Sequence, residues 1–269
     1  DGIDAALAAF PDFAAVQGHL SSTLAKVREA RATLAGADDI DAATADDIDF
    51  RLAQKELELQ VASRRALSLV SRVIAANPEL VRGGSTEVTV SAYLGGEVDI
   101  EKVNFGLAVP SGWTVEHTGD LVADAALTQG QTVKQTFLVT VPEDAPYYNP
   151  YRRNMNPFRA YGDVYGVVSY EVDGQPFEFT VDSREIIGVL PDVSLRVTPE
   201  NLVLNTLQPE DLELSVAAVN YVDGPTETTI SLTAPEGWTV EPEAITLSFN
   251  RKGDARGATF TLTPAADLG

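Results

Sequence analysis

From Ile3 to Leu34 the apolar residues Leu7, Phe10, Val16, Leu20, Leu24, Val27 and Leu34 recur at three- and four-residue steps, separated by alanine-rich intervals without β-branched runs. This spacing puts them on one face of a helix and predicts an amphipathic helical segment. Pro11 has no N–H to donate and should break it into a short helix and a longer one, with a cap at or beside Asp12. Residues 36–47 read as a polar connection. A second long helix is expected from Asp47 to Ala76, where Ile48, Leu52, Leu59, Ala62, Ala66, Leu69, Val70 and Val73 form a stripe, with Asn77-Pro78 as its stop. The two long helices should pack as an antiparallel hairpin.

After Gly83-Gly84 the period changes from 3.6 to 2. Val88, Val90 and Ala92 alternate with Glu87, Thr89 and Ser91, as in a half-buried strand. Further strands are expected at 101–109, 113–117, 132–141, 163–172, 176–182, 193–197, 202–206, 211–219, 226–233, 237–249 and 257–263, divided by Gly, Pro, Asp and Asn. Short strands at this spacing predict β-sandwiches. A repeat supports two of them: Leu107-Ala-Val-Pro-Ser-Gly-Trp-Thr-Val-Glu116 matches Leu232-Thr-Ala-Pro-Glu-Gly-Trp-Thr-Val-Glu241, and both tryptophans of the chain lie in it. Upstream, Thr86-Glu-Val-Thr-Val-Ser parallels Asp211-Leu-Glu-Leu-Ser-Val, and downstream Thr136-Phe137 parallels Thr259-Phe260. Proline and glycine shape the corner after a strand, and Trp113 and Trp238 are expected to cap one end of each core rather than stack on sugars. The first copy carries an insert from Glu143 to Leu190 that the second lacks.

The 269 residues hold 40 acidic and 19 basic side chains, a net charge of -21, two histidines and no cysteine, with 44% hydrophobic residues. That hydrophobic share can fill real cores in one to three domains. The charge repels phosphate backbones and anionic lipid surfaces, which excludes nucleic-acid binding, and no apolar run reaches the length needed for membrane insertion. Acidic surplus fits either a salt-adapted or secreted surface or an ordinary solubility device. Without cysteine there are no disulfides, thiol nucleophiles or thiolate metal sites. The opening Asp1-Gly2-Ile3 has no leader, as expected of a processed or excised piece whose targeting segment is gone.

Catalytic signatures are sparse. His19 falls in the first helical region and His117 in a β region, and neither sits in a metal-binding spacing. No nucleophile elbow, phosphate loop or dinucleotide fingerprint occurs. Read as a calcium loop from Asp39, the acidic stretch has Thr44 where glycine is needed and Phe50 where glutamate is needed, so Asp46 and Asp47 are better read as caps of the second helix. No carboxylate pair stands out as a glycosidase couple. No metal, cofactor or catalytic residue is therefore expected. The candidate binding residues lie in the insert, where Tyr147, Tyr148, Tyr151, Phe158 and Tyr161 gather with Arg152, Arg153 and Arg159 on an acidic chain. Aromatic and arginine side chains offer large area and forked donors, as contact surfaces require. A loop packed over its own sandwich, a partner interface and a polysaccharide platform are the three readings. The insert should continue as a hairpin from Tyr165 to Val181 turning at Asp173-Gly174.

The order of parts, a helical pair, Gly83-Gly-Ser-Thr-Glu-Val-Thr-Val, Pro110-Ser-Gly-Trp, Pro146-Tyr-Tyr, Tyr165-Gly-Val-Val-Ser-Tyr-Glu-Val-Asp-Gly-Gln-Pro and a second Pro-Glu-Gly-Trp module, resembles the region after the catalytic domain in long bacterial deacetylases of the PIG-L (LmbE-like) family. Val193 to Pro264 is also similar to the alpha-galactosidase-associated bacterial Ig-like domains, notably in Gly237-Trp-Thr-Val-Glu-Pro and Thr259-Phe-Thr-Leu-Thr-Pro. The PIG-L resemblance implies a zinc-dependent deacetylase acting on amino sugars through a His-Pro-Asp-Asp motif and a distant histidine. That motif is missing from this sequence, so no catalytic residue carries over and this chain alone is expected not to be an enzyme.

The expected architecture is mainly β with an N-terminal α-helical hairpin (1–79) and two tandem Ig-like β-sandwiches: 80–190, with the inserted Tyr/Arg-rich loop and hairpin, and 191–269. The expected role is a non-catalytic accessory region of a secreted or envelope carbohydrate-active hydrolase. In it the helical hairpin docks its own or a separate catalytic domain and the insert contacts polysaccharide. An exposed apolar stripe on the helices would favour this. The alternative is a free-standing structural or adhesive protein of the cell surface or a filament, favoured by open edge strands. Both place the protein in the secreted, periplasmic or cell-surface space.

Overall fold

The computed structural model describes residues 2–37, 40–149, 163–201, 203–205 and 210–265. These divide between two compact units: the described residues of Asp1–Pro78, Ser85–Thr140 and Tyr151–Ile187, and those of Glu79–Gly84, Val141–Pro150 and Gly188–Gly269. The chain is mainly β, with three N-terminal helices and two β-sandwiches.

In the first unit, α1 (Gly2–Ala9) and α2 (Phe13–Ala35) are separated by Pro11, and Asp12 caps α2 by accepting a hydrogen bond from the Ala15 amide at 3.0 Å. Helix α3 (Ala42–Ala66) packs against α2, with Leu20, Leu24 and Leu59 buried. Its cap is Asp41, which accepts from the Thr44 amide. Asp46 and Asp47, expected as caps, lie inside the helix instead, and Asp47 pairs with Arg51 one turn on. The predicted second helix also ends earlier than expected. Leu69–Ala75 is a strand, β1, in which Leu69, Ser71 and Val73 are buried while Val70, Arg72 and Ile74 face outward. The same apolar residues satisfy a helical stripe and a two-residue alternation. Pairing with β3 (Ser85–Leu94) decides between the two, since a full antiparallel ladder from Leu69↔Leu94 to Ala75↔Val88 satisfies the backbone groups.

The first sandwich stacks two four-stranded sheets. One has the order β1-β3-β7-β5, with β7 at Thr132–Thr140 and β5 at Thr114–Thr118. The other has the order β6-β4-β8-β9, with β4 at Ile100–Ala108, β6 at Ala125–Leu127, β8 at Tyr165–Val172 and β9 at Gln175–Asp182. Strand β8 alternates half-buried and buried positions along its whole length, as a strand facing a core must. The β8–β9 turn falls at Asp173-Gly174, both with positive φ (53° and 69°), as two-residue hairpin turns require.

In the second unit, β2 (Glu79–Leu80) pairs in parallel with β10 (Gly188–Val189). The second sandwich has a four-stranded sheet β11-β12-β16-β14, comprising Val193–Thr198, Leu212–Asn220, Ala255–Thr263 and Thr239–Glu241. Opposite it is a sheet of only two strands, β13 (Thr226–Ser231) and β15 (Ala244–Phe249). Its core is Val216, Ala218, Ile230, Leu247, Phe249, Ala258, Phe260 and Leu262. Burial of large side chains such as Phe249 and Phe260 contributes about 1.5–3 kcal/mol each. The expected strand at 237–249 is divided into β14 and β15. Of the one expected at 202–206, residues 203–205 form no strand and the others lie outside the described residues.

The repeat is the same turn twice. Trp113 donates its amide to the Pro110 carbonyl and Trp238 to that of Pro235, each at 3.2 Å, and the intervening Gly112 and Gly237 have φ of 85° and 81°. A four-residue turn with positive φ at its third position calls for glycine there. Both tryptophans are half-buried, and Trp238 packs against the second core.

Candidate contact surfaces

The helices are fastened to the inserted hairpin by polar contacts. Gln17, fully buried, donates to Ser21 Oγ at 3.1 Å, and Ser21 donates to Asp173 Oδ2 at 3.0 Å on the hairpin turn. Ser63 on α3 lies 3.1 Å from the Tyr170 hydroxyl, Gln60 accepts from the Glu178 amide, Arg28 reaches the Pro176 carbonyl, and the Arg64 guanidinium sits 4.3 Å from the Phe179 ring centroid. Burial pushes the Tyr170 phenol up to about 12, against the opposing influence of the Ser63 contact. Between α2 and α3, Arg28 and Arg31 share Glu56 at 2.7 Å each, and Arg31 also holds Asp49 at 2.8 Å. These hydrogen bonds raise the already high Arg31 value and hold Asp49 below the usual carboxylate range. Burial pushes Glu56 up, but Arg28 and Arg31 outweigh it and its carboxyl ends below the usual range.

The other side of the helices is apolar and open. A groove of about 660 Å³ is lined by residues of all three helices, among them Leu7, Phe10, Phe13, Leu57 and Val61. Leu7 is 70% and Phe10 66% exposed, with the Phe10 and Phe13 rings edge to face at 5.7 Å. Arg65 and the Lys55–Glu58 pair, 2.7 Å apart, stand at its rim. The helical spacing places Leu7 and Phe10 on the apolar stripe, part of which is indeed exposed, but it does not single out Phe13, Leu57 or Val61.

Of the eight insert residues singled out from the sequence, the described ones are Tyr147 and Tyr148. Tyr151, Arg152, Arg153, Phe158, Arg159 and Tyr161 lie outside the described residues. Tyr147 is exposed and stacks under Arg82, whose guanidinium is 4.2 Å from the ring centroid and which also donates to the Ala145 carbonyl at 2.8 Å. Tyr148 is half-buried, donates its amide to the Val189 carbonyl at 2.7 Å and lies against Gly188. Arg82 was not anticipated; only the fold brings it to Tyr147. An aromatic ring with a fixed cation on one face leaves its other face for a stacking ligand.

His117 lies exposed on edge strand β5 with its ring 5.0 Å from that of Phe137. Among the described residues no three His, Cys, Asp or Glu side chains gather as a metal site, and no helix is long and apolar enough to cross a membrane.

Residues 80–151 match the family model of the NPCBM-associated NEW3 domain of alpha-galactosidase. The chain thus carries a β-sandwich module of a carbohydrate-enzyme-associated type. The match falls on the first copy of the repeat, whereas the sequence motifs placed the alpha-galactosidase-associated likeness on the second. The chain matches no curated protein. Among solved structures it is similar to the secreted serine protease VesC from Vibrio cholerae, at 11% identity and a TM-score of 0.33, over 80% of this chain and 50% of that one. It is also similar to a GH20 exo β-N-acetylglucosaminidase from Vibrio harveyi, at 14% identity and a TM-score of 0.27, over 61% and 24%. A third likeness is to the Yersinia pseudotuberculosis adhesin InvE, at 16% identity and a TM-score of 0.22, over 74% and 52%. The chain spans half the length of the first of these and about a quarter of the second.

Proposed function

We propose that this chain is a non-catalytic accessory region of a secreted or envelope carbohydrate-active hydrolase, of the deacetylase type that the sequence motifs resemble. The observation that carries the reading is the match of residues 80–151 to a module of alpha-galactosidase. In this reading the segments 1–79, 80–190 and 191–269 serve as docking, contact and spacing parts. The groove on α1–α3 receives the catalytic domain, because apolar side chains as exposed as Leu7 and Phe10 are what a partner surface covers. The Tyr147–Arg82 pair is where the segment 80–190 meets a glycan.

The test is to isolate the polypeptide from its source with an antibody to the second sandwich and to measure its intact mass, its peptides and its deacetylase activity on N-acetyl amino sugars. The reading expects a longer polypeptide, or a catalytic chain that leaves when Leu7→Asp and Phe10→Asp are introduced. A sole, inactive species of 28.7 kDa would overturn it. One observation favours the alternative of a structural or adhesive surface protein, namely the second sandwich's two-stranded sheet, whose edges pair with no other strand among the described residues.

A further inference from the structure

The two sandwiches repeat one four-stranded sheet, matched residue by residue along β1, β3 and β7 and along β11, β12 and β16. Phe137 on β7 stands opposite Val88 on β3, and Phe260 on β16 stands opposite Leu214 on β12. Two positions along, Val90 faces Val73 on β1, and Val216 faces Val197 on β11. Val73 therefore corresponds to Val197, and Ser71, opposite Ala92, corresponds to Leu195, opposite Ala218. The surroundings of these pairs differ sharply: Val73 is 1% and Ser71 7% exposed, whereas Val197 is 36% and Leu195 54% exposed.

What covers Val73 in the first sandwich is the β8–β9 hairpin. It extends the second sheet beyond β4 and lies against β1, so closely that a Cβ on Gly166 would stand 2.7 Å from Val73 Cγ2 and 3.1 Å from Val90 Cγ1. The second sandwich has no counterpart among the described residues. Among the described residues, strand β13, which takes the place of β4 as Ile230 takes that of Phe105, pairs with β15 alone, and nothing described there pairs with the edge that β4 gives to β8. Where the first sandwich has the small, buried Ser71, the second has the larger and exposed Leu195. Placing a larger apolar side chain where nothing in the sandwich shields it costs solubility, unless something else shields it.

We infer that the β13 edge, together with the uncovered Leu195 and Val197, accepts an extended segment of another polypeptide. That segment completes the second sheet as β8 completes the first. Its chemistry follows from β8: apolar and polar residues in alternation, with a glycine or alanine where it crosses Val197 and Val216. A second copy of this chain is disfavoured as the donor because its β8 is already paired with β4, and because each copy carries a charge of -21. The inference is independent of the proposed link to a hydrolase and holds equally for a surface protein.

The test uses the full chain and a synthetic peptide of residues 164–182 as the probe strand. Saturable binding is expected, with amide exchange across β13 slowed about tenfold or more, because the edge amides gain partners. Leu195→Asp with Val197→Asp should abolish that binding and leave the melting temperature unchanged, while Ile74→Asp on the outer face of β1 should leave binding intact. The inference is overturned if the peptide does not bind, if binding survives the double substitution, if the β13 amides that face away from β15 are protected before peptide is added, or if the chain self-associates through this edge.

Discussion

Replacing Gly166 by alanine tests whether β8 seals the first sandwich by backbone contact. The added Cβ would meet Val73 Cγ2 at 2.7 Å and Val90 Cγ1 at 3.1 Å, and both valines are fully buried and branched at Cβ, so neither can swing aside. Overpacking of this kind costs about 1–3 kcal/mol. In a unit of this size each kcal/mol lowers the melting temperature by about 2–4 °C, so a fall of roughly 2–12 °C is expected for the first unit by calorimetry. The controls are Gly106→Ala in β4, whose Cβ would have ordinary contact with Val167 at 3.5 Å, and Gly257→Ala in β16, with nothing within 4 Å. Both should change stability by no more than about 0.5 kcal/mol. If Gly166→Ala is as mild as its controls, β8 does not lie on Val73, and the comparison with Val197 loses its ground.

Tyr170 titrates near 12 when folded and near 10 when unfolded, so its contribution is fully present below about pH 10 and is lost as pH rises toward 12, by about 2–3 kcal/mol. Urea titrations across that window should show the loss, and Tyr170→Phe should remove it. Asp49 and Glu56 have depressed values, so the stability they contribute is present above the ordinary carboxylate range and lost as pH falls through their folded values. Arg31→Gln should therefore move the acid unfolding of the helices, followed by circular dichroism, to higher pH. Leu7→Asp with Phe10→Asp should leave the melting of the isolated chain within about 0.5 kcal/mol, since both side chains are already exposed; a larger loss would mean that the groove is core rather than surface. Tyr147→Ala should abolish retention on a polysaccharide column without changing the melting temperature, and unchanged retention would remove Tyr147 from any glycan site.

Much of the architecture is written in local pattern. Pro11 and Asp12 announce the break and the cap, Asp173-Gly174 announces the hairpin, and Pro-x-Gly-Trp marks the same corner in both sandwiches because only glycine tolerates the φ that the turn demands. The run Leu69–Ala75 was not legible, because its apolar residues fit both periods and only the partner strand β3 selects one. The surfaces were harder still. The spacing puts Leu7 and Phe10 on an apolar stripe, but which residues of that stripe stay exposed, and that Phe13, Leu57 and Val61 join them, depends on how the three helices pack. The Arg82–Tyr147 contact spans 65 residues and comes from tertiary structure alone. The β13 edge, which pairs only with β15 among the described residues, has one trace in the sequence, the insert present after the first copy and missing from the second, which reads as a gain for one sandwich before it reads as a lack in the other.

The most direct test of the central claim is the intact mass of the polypeptide recovered from its source, with peptide mapping across residues 1–80 and any species that co-purifies until denatured. An accessory region predicts these peptides within a longer hydrolase, or alongside a separate catalytic chain. A single species of 28.7 kDa with neither would contradict that account and leave a self-sufficient surface protein.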